Sequence, residues 1–459
     1  MGCQCDLTNR PPGAISKSIN DKKSIHSLLK KCDIVIIGGG ILGTTISYWL
    51  STLYDLNVCV IEKENDVAKH TSSRNTGVVH SPFYLDPKKR KTSAVSSFIS
   101  HDLWEIFAKK KNLPWFEVGT IEVASDEQQH KTLEKYMKWS AENGIPENQV
   151  ELLDSKDLLK KESNLHAYSG LYCSRDVSTD YGIFTKELQK ESEKNGTKFL
   201  FDKEVTDTNE HSEIQLTFSD NSTLTAKFMI NCSGGNSLDI AKKCNLAKEY
   251  DDLHFRGEYW ICDQSHADLV KTNIYTVARF SEFPFLDPHW IKRSNGTTEI
   301  GPNAVPVATP ETYEGYAGEL NETVSKILEI FGGNVRRLLR NPSFLSMLSK
   351  EFLSSVSKSA MVHRVQQFIP KVKPEYFTKH GTAGIRTPVI SPKGEFVKDI
   401  LELVGENSFH IVNYNSPGAT GAPAYSAFII KKLQDEGFLD YSQKPKESFW
   451  NFEKIISLF

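Results

Sequence analysis

Short apolar runs and a helical pattern alternate near the beginning of the chain. Residues 34–37 form a run of β-branched apolar residues, which is typical of a strand buried on both faces. Residues 44–53 have the pattern of an apolar helix, and residues 57–63 form a second apolar run that ends in charged positions. The pattern predicts a strand-helix-strand unit.

Similar patterns return at wide intervals. The elements that fit the same sheet are a charged helix at 186–195, apolar strands at 198–201, 228–235 and 409–412, and an apolar helix at 424–433. Residues 117–124 and 253–305 instead alternate apolar and polar positions, as antiparallel strands do. The chain therefore contains the elements of two different kinds of sheet.

Residues 311–355 carry Leu, Ile and Phe at helical spacing and no chemical motif, which predicts helices that cap the second sheet. A peripheral membrane contact is one interpretation of this segment, because apolar side chains lie here among arginines. The side chains concerned are Phe331, Leu338, Leu339, Phe344 and Leu345, with Arg336, Arg337 and Arg340. An ordinary packed pair of amphipathic helices is the alternative that we favour.

The composition is that of a globular protein. Of the 459 residues, 39% are hydrophobic and 25% are charged, which excludes collagen-like and wholly disordered chains. The net charge of -3 gives no electrostatic reason to expect nucleic-acid binding. No apolar run reaches the roughly 18 residues of a membrane-spanning helix.

The cysteines and the first residues bear on the cellular compartment. The 8 cysteines include no CxxC pair and no His/Cys cluster at zinc spacing, which predicts free thiols, no metal site and a reducing compartment. Residues 1–31 form a polar extension without the apolar stretch of a secretory signal. We therefore expect a cytoplasmic or mitochondrial protein that is not secreted.

A glycine-rich turn follows the first predicted strand. Gly38, Gly40 and Gly43 fit the pattern GxGxxG. In such turns the first glycine permits a tight turn, the second lets the backbone approach a pyrophosphate, and the third lets the helix pack closely. Glu62 ends the second strand about 20 residues later, where a carboxylate binds a ribose diol. The unit predicts a dinucleotide site, and a glycine-rich turn without a ligand is the alternative.

A polar loop rich in hydroxyl groups follows, where a nicotinamide dehydrogenase would continue with further strand-helix units. The loop sequence SSRNTGVVHSPFY begins at Ser72. With the glycine motif ahead of it, the chain resembles the FAD-dependent D-amino-acid oxidase superfamily, specifically its L-2-hydroxyglutarate dehydrogenase/oxidase branch. Further matches follow in the family's order at 254–259, 283–286, 289, 301–305, 384–386 and 415–420. Residues 276–279 and 287–288 depart from the branch, in a part expected to face the substrate.

The resemblance implies FAD as the cofactor and an α/β fold. In this fold a Rossmann-like FAD-binding domain is interleaved with an antiparallel-sheet (α+β) substrate domain. We assign residues 32–85, 150–250 and 380–440 to the FAD-binding domain, 86–149 and 251–379 to the substrate-binding domain, and 1–31 and 441–459 to an extension and a tail.

The implied reaction is the oxidation of an L-2-hydroxy acid by hydride transfer to the flavin. The leading candidate is L-2-hydroxyglutarate, which would give 2-oxoglutarate. An oxidase of an amine or amino acid, of the glycine, sarcosine or D-amino acid type, is one alternative, and a catalytically silent flavin-binding relative is another. The electron acceptor, oxygen or a quinone, stays open.

The fingerprint and the resemblance together predict the cofactor contacts. These are Gly38, Gly40, Ile41, Leu42, Gly43, Glu62, Lys63, Ser72, Ser73, Asn75, Thr76, Gly77, Val78, Val205, Ser233, Gly234, Pro417, Gly418, Ala419 and Thr420. The last four lie in the segment 416–421, which leads into the predicted helix at 424–433, and the N–H groups and dipole there could stabilise negative charge at the flavin.

The reaction needs a base for the hydroxyl proton and a cation for the carboxylate. Histidine suits the base, because its unperturbed pKa of about 6.5 lies near working pH. His80 and His289 are the candidates, with no order between them, and the resemblance also allows covalent attachment of the flavin to His80. Arg386 stands where the family places the guanidinium that grips the substrate carboxylate, a task for which its bidentate fork is suited.

Arg256 and Tyr259 are further substrate candidates within one family match, although Glu258 offers Arg256 a structural partner. A five-carbon diacid also needs a contact for its far carboxylate. The residues that could serve there are His289, Arg279 and Lys292. For each of these residues the alternative is a structural role.

Overall fold

The computed structural model describes residues 30–280, 282–285, 287–317, 324, 326, 328, 330 and 332–459. Nearly all of the predicted extension at 1–31 lies outside these ranges, as do Leu286 and Phe331. The helices are α1 (Ile41–Leu53), α2 (Lys91–Lys111), α3 (Glu127–Glu142), α4 (Ser155–Lys161), α5 (Tyr181–Lys194), α6 (Ser237–Lys243), α7 (Val335–Leu338), α8 (Pro342–Val356), α9 (Lys358–Gln366), α10 (Gly418–Asp435) and α11 (Phe452–Ile456).

The strands follow in chain order. They are β1 (Lys31–Ile37), β2 (Val58–Ile61), β3 (Val78–Val79), β4 (Thr120–Ala124), β5 (Val150–Asp154), β6 (Ser169–Cys173), β7 (Val177–Ser178), β8 (Lys198–Leu200), β9 (Val205–Glu210), β10 (Ile214–Phe218), β11 (Thr223–Asn231), β12 (Asp251–Asp252), β13 (His254–Gly257), β14 (Trp260–Cys262), β15 (Asn273–Thr276), β16 (His289–Lys292), β17 (Thr298–Gly301), β18 (Val305–Val307), β19 (Phe377–His380), β20 (Gly384–Arg386), β21 (Val389–Ile390), β22 (Leu401–Val404) and β23 (Ser408–Val412).

The first sheet has the parallel centre of a nucleotide-binding fold. Its order is β22-β23-β11-β1-β2-β8, and the five strands after β22 run parallel. The apolar run of β1 is buried on both faces, as its sequence predicts. Ile34 and Ile36 pack on helices α1, α2, α5 and α10, whereas Val35 and Ile37 pack on α6 and the hairpin β9-β10.

The second sheet is antiparallel except for one pair. Its order is β19-β14-β17-β16-β15-β4-β6-β5, and β15 and β4 run parallel. Helix α9 covers its core through Met361, Val362 and Val365. A small sheet, β18-β13-β20, completes this part of the molecule. The predicted combination of a Rossmann-like domain and an interleaved antiparallel-sheet domain is confirmed.

The division of the chain between the two sheets differs from the predicted boundaries in three places. Strands β5 and β6 pair with β4 in the second sheet, so the first domain resumes only at α5, well after residue 150. Helix α2 packs in the core of the first domain through Trp104 and Phe107. The predicted tail joins the same core through Trp450 and Phe452. A local pattern shows that an element has an apolar face, but the fold decides which core that face enters.

The capping helices form a packed cluster. Leu338 and Phe344 are buried against Phe255 and Phe283, as the alternative of an amphipathic helix pair predicts. Leu345 is 48% exposed on α8. Within the described ranges, no helix is long and apolar enough to cross a membrane. The peripheral membrane contact stays a prediction.

Candidate active site

The glycine-rich turn connects β1 to α1 at one edge of the first sheet. Gly38 has a φ of 107°, and a Cβ at this residue would lie 2.5 Å from the carbonyl oxygen of Cys232. A Cβ on Gly43 would lie 2.1 Å from the carbonyl oxygen of Gly38. Both positions therefore require glycine, and the helix begins close against the strand as the fingerprint predicts.

Glu62 follows β2 beside this turn. Its Oε2 accepts a hydrogen bond from the N–H of Gly39 at 2.8 Å, and its Oε1 accepts one from the N–H of Glu64 at 2.9 Å. Burial raises the pKa of Glu62 above its usual value. Because each carboxylate oxygen can accept more than one hydrogen bond, Glu62 keeps the capacity to bind a ribose hydroxyl.

A cavity of about 950 Å³ extends from this turn to the second sheet. Most of the predicted cofactor contacts line it. They are Gly38, Gly40, Ile41, Leu42, Glu62, Lys63, Ser72, Asn75, Thr76, Val78, Val205, Ser233, Gly234, Pro417, Gly418, Ala419 and Thr420. The residues Lys203, Lys242 and Lys243, which no motif marks, line it as well.

Three predicted cofactor contacts do not line the cavity, and each has a packing role. Gly43 lets α1 approach β1. Ser73 donates a hydrogen bond from its hydroxyl to the carbonyl oxygen of Ala68 at 2.5 Å. Gly77 has a φ of 71°, and a Cβ there would lie 2.4 Å from the carbonyl oxygen of Thr179. These residues shape the loop whose other members line the cavity.

Two histidines and a tyrosine meet where the cavity reaches the second sheet. His80 follows β3, Tyr275 lies on β15, and His289 begins β16. The hydroxyl of Tyr275 lies 3.4 Å from Nε2 of His80, and the rings of Tyr275 and His289 have centroids 4.0 Å apart. All three line the cavity. The structure thus brings both candidate bases together around a tyrosine that no motif indicates.

The other side of His80 contacts a buried carboxylate. Nδ1 of His80 lies 3.0 Å from Oδ2 of Asp176, whose side chain has no exposed surface. The backbone N–H of His80 donates to Oγ1 of Thr420 at 3.1 Å. In the sequence, Asp176 belongs to a polar stretch that is typical of a surface turn, so only the tertiary contact identifies it.

His289 is a neutral group in this region. Burial lowers its pKa well below the usual value, and the nearby positive charges of Arg386 and Arg364 act in the same direction. Its Nδ1 is buried and has no hydrogen-bond partner among the described residues. His289 can therefore exchange a hydrogen bond with a ligand, but it is a weak proton acceptor.

Arg386 lines the same part of the cavity. Strand β20 carries it opposite Phe255 of β13, and its Nη1 donates to the carbonyl oxygen of Pro284. Burial lowers its pKa, but the ordinary value for arginine is so high that it stays charged. A cation is therefore available beside the two histidines.

Helix α10 also begins at the cavity. Gly418, Ala419 and Thr420 form its first turn and line the cavity. The N-terminus of a helix carries unpaired N–H groups and partial positive charge. This first turn could stabilise negative charge on a bound group, as predicted for residues 416–421.

The remaining substrate candidates lie in different places. Tyr259 lines the cavity. Arg256 does not: its Nη2 lies 2.6 Å from Oε1 of Glu258, and its Nη1 donates to the carbonyl oxygens of Thr312 and Gly315. The contacts of Arg256 are therefore those of a structural residue that holds the segment around 312–315.

Arg279 and Lys292 also lie outside the lining of the cavity. Nε of Arg279 lies 3.9 Å from Oδ2 of Asp287, so two residues that depart from the family pattern pair with each other. Nζ of Lys292 lies 2.9 Å from Oδ1 of Asp268. Of the three candidates for the far carboxylate, His289 is the one that lines the cavity.

These features fit a flavin adenine dinucleotide. A side chain at Gly38 would collide with the neighbouring backbone, and a carboxylate stands at the end of β2. The cavity volume of about 950 Å³ lies at the upper end of the range for ligand pockets. The fold and the cavity together define an FAD-dependent oxidoreductase with an interleaved substrate domain.

Residues 33–431 match the model of the FAD dependent oxidoreductase (DAO) family, and the chain belongs to this family. It is 30% identical over 422 residues to the mitochondrial L-2-hydroxyglutarate dehydrogenase of Caenorhabditis elegans, and the aligned region covers 90% of this chain and 94% of that protein. It is 28% identical over 405 residues to the L-2-hydroxyglutarate dehydrogenase of Escherichia coli strain K12, with 88% of this chain and 93% of that protein covered.

Solved structures agree with this fold. L-alpha-glycerophosphate oxidase from Mycoplasma pneumoniae, solved with FAD bound, superposes with a TM-score of 0.70 at 19% identity over 92% of this chain and 98% of that chain. Glycine oxidase from Geobacillus kaustophilus superposes with a TM-score of 0.65 at 16% identity over 90% of this chain and 97% of that chain. The predicted family, fold class, enzyme class and cofactor are confirmed.

Proposed function

We propose that the protein oxidises L-2-hydroxyglutarate to 2-oxoglutarate. Bound FAD supplies the hydride acceptor. The observation that carries the proposal is the cluster at the second sheet, where Arg386, His80 and His289 line one part of the cavity. A cation for the carboxylate and a base for the hydroxyl proton are the groups that this reaction requires of the protein.

Arg386 binds the carboxylate next to the reacting carbon. Its guanidinium can form two parallel hydrogen bonds to a carboxylate, and the contact with the carbonyl oxygen of Pro284 uses only part of its five donors. Because the site is buried, this charge pair is stronger than it would be in water. The contact fixes the position of the hydroxyl-bearing carbon.

His80 is the base in this proposal. The lowered pKa of His289 makes that residue a poor acceptor for the hydroxyl proton. Nε2 of His80 lies near the hydroxyl of Tyr275, and both residues line the cavity. Neutral His289 instead donates a hydrogen bond from one ring nitrogen to the far carboxylate of the diacid.

The relatives support the choice of substrate. Proteins named L-2-hydroxyglutarate dehydrogenase match about nine-tenths of this chain in Escherichia coli and Caenorhabditis elegans. The residues that depart from the branch, Arg279 and Asp287, lie outside the lining of the cavity and pair with each other. Their departure therefore leaves the proposed substrate contacts in place.

The test is a panel of hydroxy and amino acids added to the purified, FAD-loaded protein without oxygen. L-2-hydroxyglutarate should bleach the flavin absorbance near 450 nm, and the D form should not. Bleaching by glycine, sarcosine or a D-amino acid instead would replace this function with that of an amine oxidase. If none of these compounds reduces the flavin, the protein is a flavin-binding relative without catalytic activity, and the proposal is overturned.

We propose a reducing compartment, cytoplasmic or mitochondrial, which the buried free thiols of the described residues support.

The same preparation of FAD-loaded protein identifies the electron acceptor. After reduction by substrate, fast reoxidation in air would indicate an oxidase. Slow reoxidation in air together with fast reoxidation by a soluble quinone analogue would indicate a dehydrogenase.

A further inference from the structure

Asp176 is a buried carboxylate next to the proposed base. It lies in the turn between β6 and β7, and its side chain has no exposed surface. Its Oδ1 accepts a hydrogen bond from the N–H of Ser81 at 2.7 Å, and its Oδ2 lies 3.0 Å from Nδ1 of His80. Both oxygens therefore contact the short segment that carries His80.

The contact determines which ring nitrogen of His80 carries the proton. An ionised carboxylate only accepts hydrogen bonds, so Nδ1 of His80 must be the donor. In a neutral imidazole the other nitrogen then keeps its lone pair. That nitrogen, Nε2, is the one that lies 3.4 Å from the hydroxyl of Tyr275. The pair thus presents a proton acceptor on the side of His80 that faces Tyr275.

The other acidic groups around His80 and Asp176 are uncharged, so the negative charge beside His80 comes from Asp176. Burial and the charge of Asp176 raise the pKa of Glu122 to about 8, so Glu122 is mainly protonated at neutral pH. Burial also keeps the other facing groups neutral, by raising the pKa of three of them and lowering that of His289. These groups are Tyr84, Tyr275, Cys173 and His289.

We propose that Asp176 is a positioning residue, which holds His80 in the tautomer protonated at Nδ1 and stabilises the imidazolium that forms when Nε2 accepts the hydroxyl proton of the substrate. The proposal rests on the function proposed above.

In that reaction the O–H bond of the substrate breaks and its proton moves to Nε2 of His80. The C2–H bond breaks and its electron pair leaves as hydride to bound FAD, while the O–H electrons complete the carbonyl group. The hydroxy acid thus loses two electrons, which FAD gains.

The first test measures the rate of flavin reduction in stopped flow without oxygen. Asp176→Asn keeps the size of the side chain, but its amide can donate to Nδ1 and thereby favour the wrong tautomer of His80. We expect the limiting reduction rate to fall by about 100-fold or more, with the substrate dissociation constant and the FAD content changed less than about threefold. Asp176→Glu keeps an acceptor-only carboxylate and should retain at least about ten times the rate of Asp176→Asn.

The double variant separates positioning from general support of the fold. In a His80→Asn background, Asp176→Asn should lower the reduction rate by less than about threefold, because residues that act as a unit are not additive. A matched control is Asp252→Asn, since Asp252 and His254 form a second buried pair, 3.7 Å apart, outside the lining of the cavity. This control should leave the reduction rate unchanged.

A measurement without substrate keeps the two proposals distinct. Nitrogen-15 NMR of the histidine rings in the FAD-loaded protein should show His80 protonated at Nδ1 in the wild type and at Nε2 in Asp176→Asn. An Nε2-protonated His80 in the wild type, or a full 100-fold loss on adding Asp176→Asn to His80→Asn, would overturn the role of Asp176. If the tautomer is as expected but no 2-hydroxy acid reduces the flavin, the proposed function fails and the tautomer control by Asp176 stands.

Discussion

Glu122 on β4 lies directly beside Tyr275 on β15, so a buried carboxyl group shares a face of the second sheet with the tyrosine that contacts both active-site histidines. No described residue donates a hydrogen bond to this carboxyl group, and burial together with the charge of Asp176 raises its pKa to about 8. A carboxyl group beside the active site therefore stays protonated well above its ordinary pH range.

This relationship predicts how stability depends on pH. Between about pH 4.5, the ordinary pKa of Glu122, and about pH 8, the unfolded chain loses a proton that the folded chain keeps. The free energy of unfolding should therefore fall as pH rises through this window, by at most about 5 kcal/mol from this group. Glu122→Gln should remove this fall in chemical unfolding of the FAD-saturated protein. Glu117→Gln, at an exposed site, is the control, and equal pH slopes in wild type and Glu122→Gln would contradict the prediction.

His410 should have the opposite effect at acid pH. It is fully buried between Asn231 and Ser408, and burial lowers its pKa from 6.5 to about 4. As pH falls through this window the unfolded chain gains a proton that the folded chain does not, so stability is lost, by about 3 kcal/mol at most. His410→Gln should show a shallower loss of unfolding free energy between pH 6.5 and pH 4. His211→Gln, at an exposed histidine, should behave as the wild type does.

Gly43→Ala should disrupt the start of α1. The new methyl group would lie 2.1 Å from the carbonyl oxygen of Gly38, so the turn must move, which typically costs 1–3 kcal/mol. We expect a purified protein with less bound FAD and a lower unfolding temperature. Gly332→Ala is the control, because a Cβ there has no atom within 4 Å. If both variants retain full flavin content and the same unfolding temperature, the close contact has no role in cofactor binding.

Glu62→Gln should weaken FAD binding. The amide keeps the shape of the side chain but loses the charge that strengthens hydrogen bonds, and such bonds contribute roughly 1.5–3 kcal/mol. We expect the dissociation constant of FAD, measured by quenching of flavin fluorescence on reconstitution, to rise by about tenfold or more. Glu64→Gln, whose carboxylate contacts Lys63 and His70, should change it by less than about threefold. A larger effect at Glu64 than at Glu62 would contradict the ribose assignment.

Arg386→Lys should raise the KM for the hydroxy acid more than it lowers kcat. Lysine keeps the positive charge but cannot form the two parallel hydrogen bonds of a guanidinium. We expect KM to rise by about tenfold to 100-fold. For a longer substrate that lacks the carboxylate next to the reacting carbon, KM should be the same in Arg386→Lys and in the wild type. Arg279→Gln, outside the lining of the cavity, should leave KM unchanged. An increase in KM at Arg279 of the same size would move the carboxylate site there.

The nucleotide half of the site could be predicted from sequence because its determinants are local. The buried strand at 34–37, the glycines of the turn and Glu62 lie within one strand-helix-strand unit. Their spacing is set by hydrogen bonding between neighbouring strands and by contacts within one turn. Most of these constraints act inside this one unit of about thirty residues, so they leave a readable pattern.

The catalytic half depended on the tertiary structure. His80, Asp176, Tyr275 and His289 come from separate segments, and only the pairing of β15 with β16 and the turn after β6 brings them together. The same holds for α2, whose apolar face fits either core until the fold selects one. The sequence by itself determined the family, the cofactor and the glycine turn. Which histidine has a carboxylate partner was decided by packing between distant segments, because burial and long-range contacts leave no periodic signal in the chain.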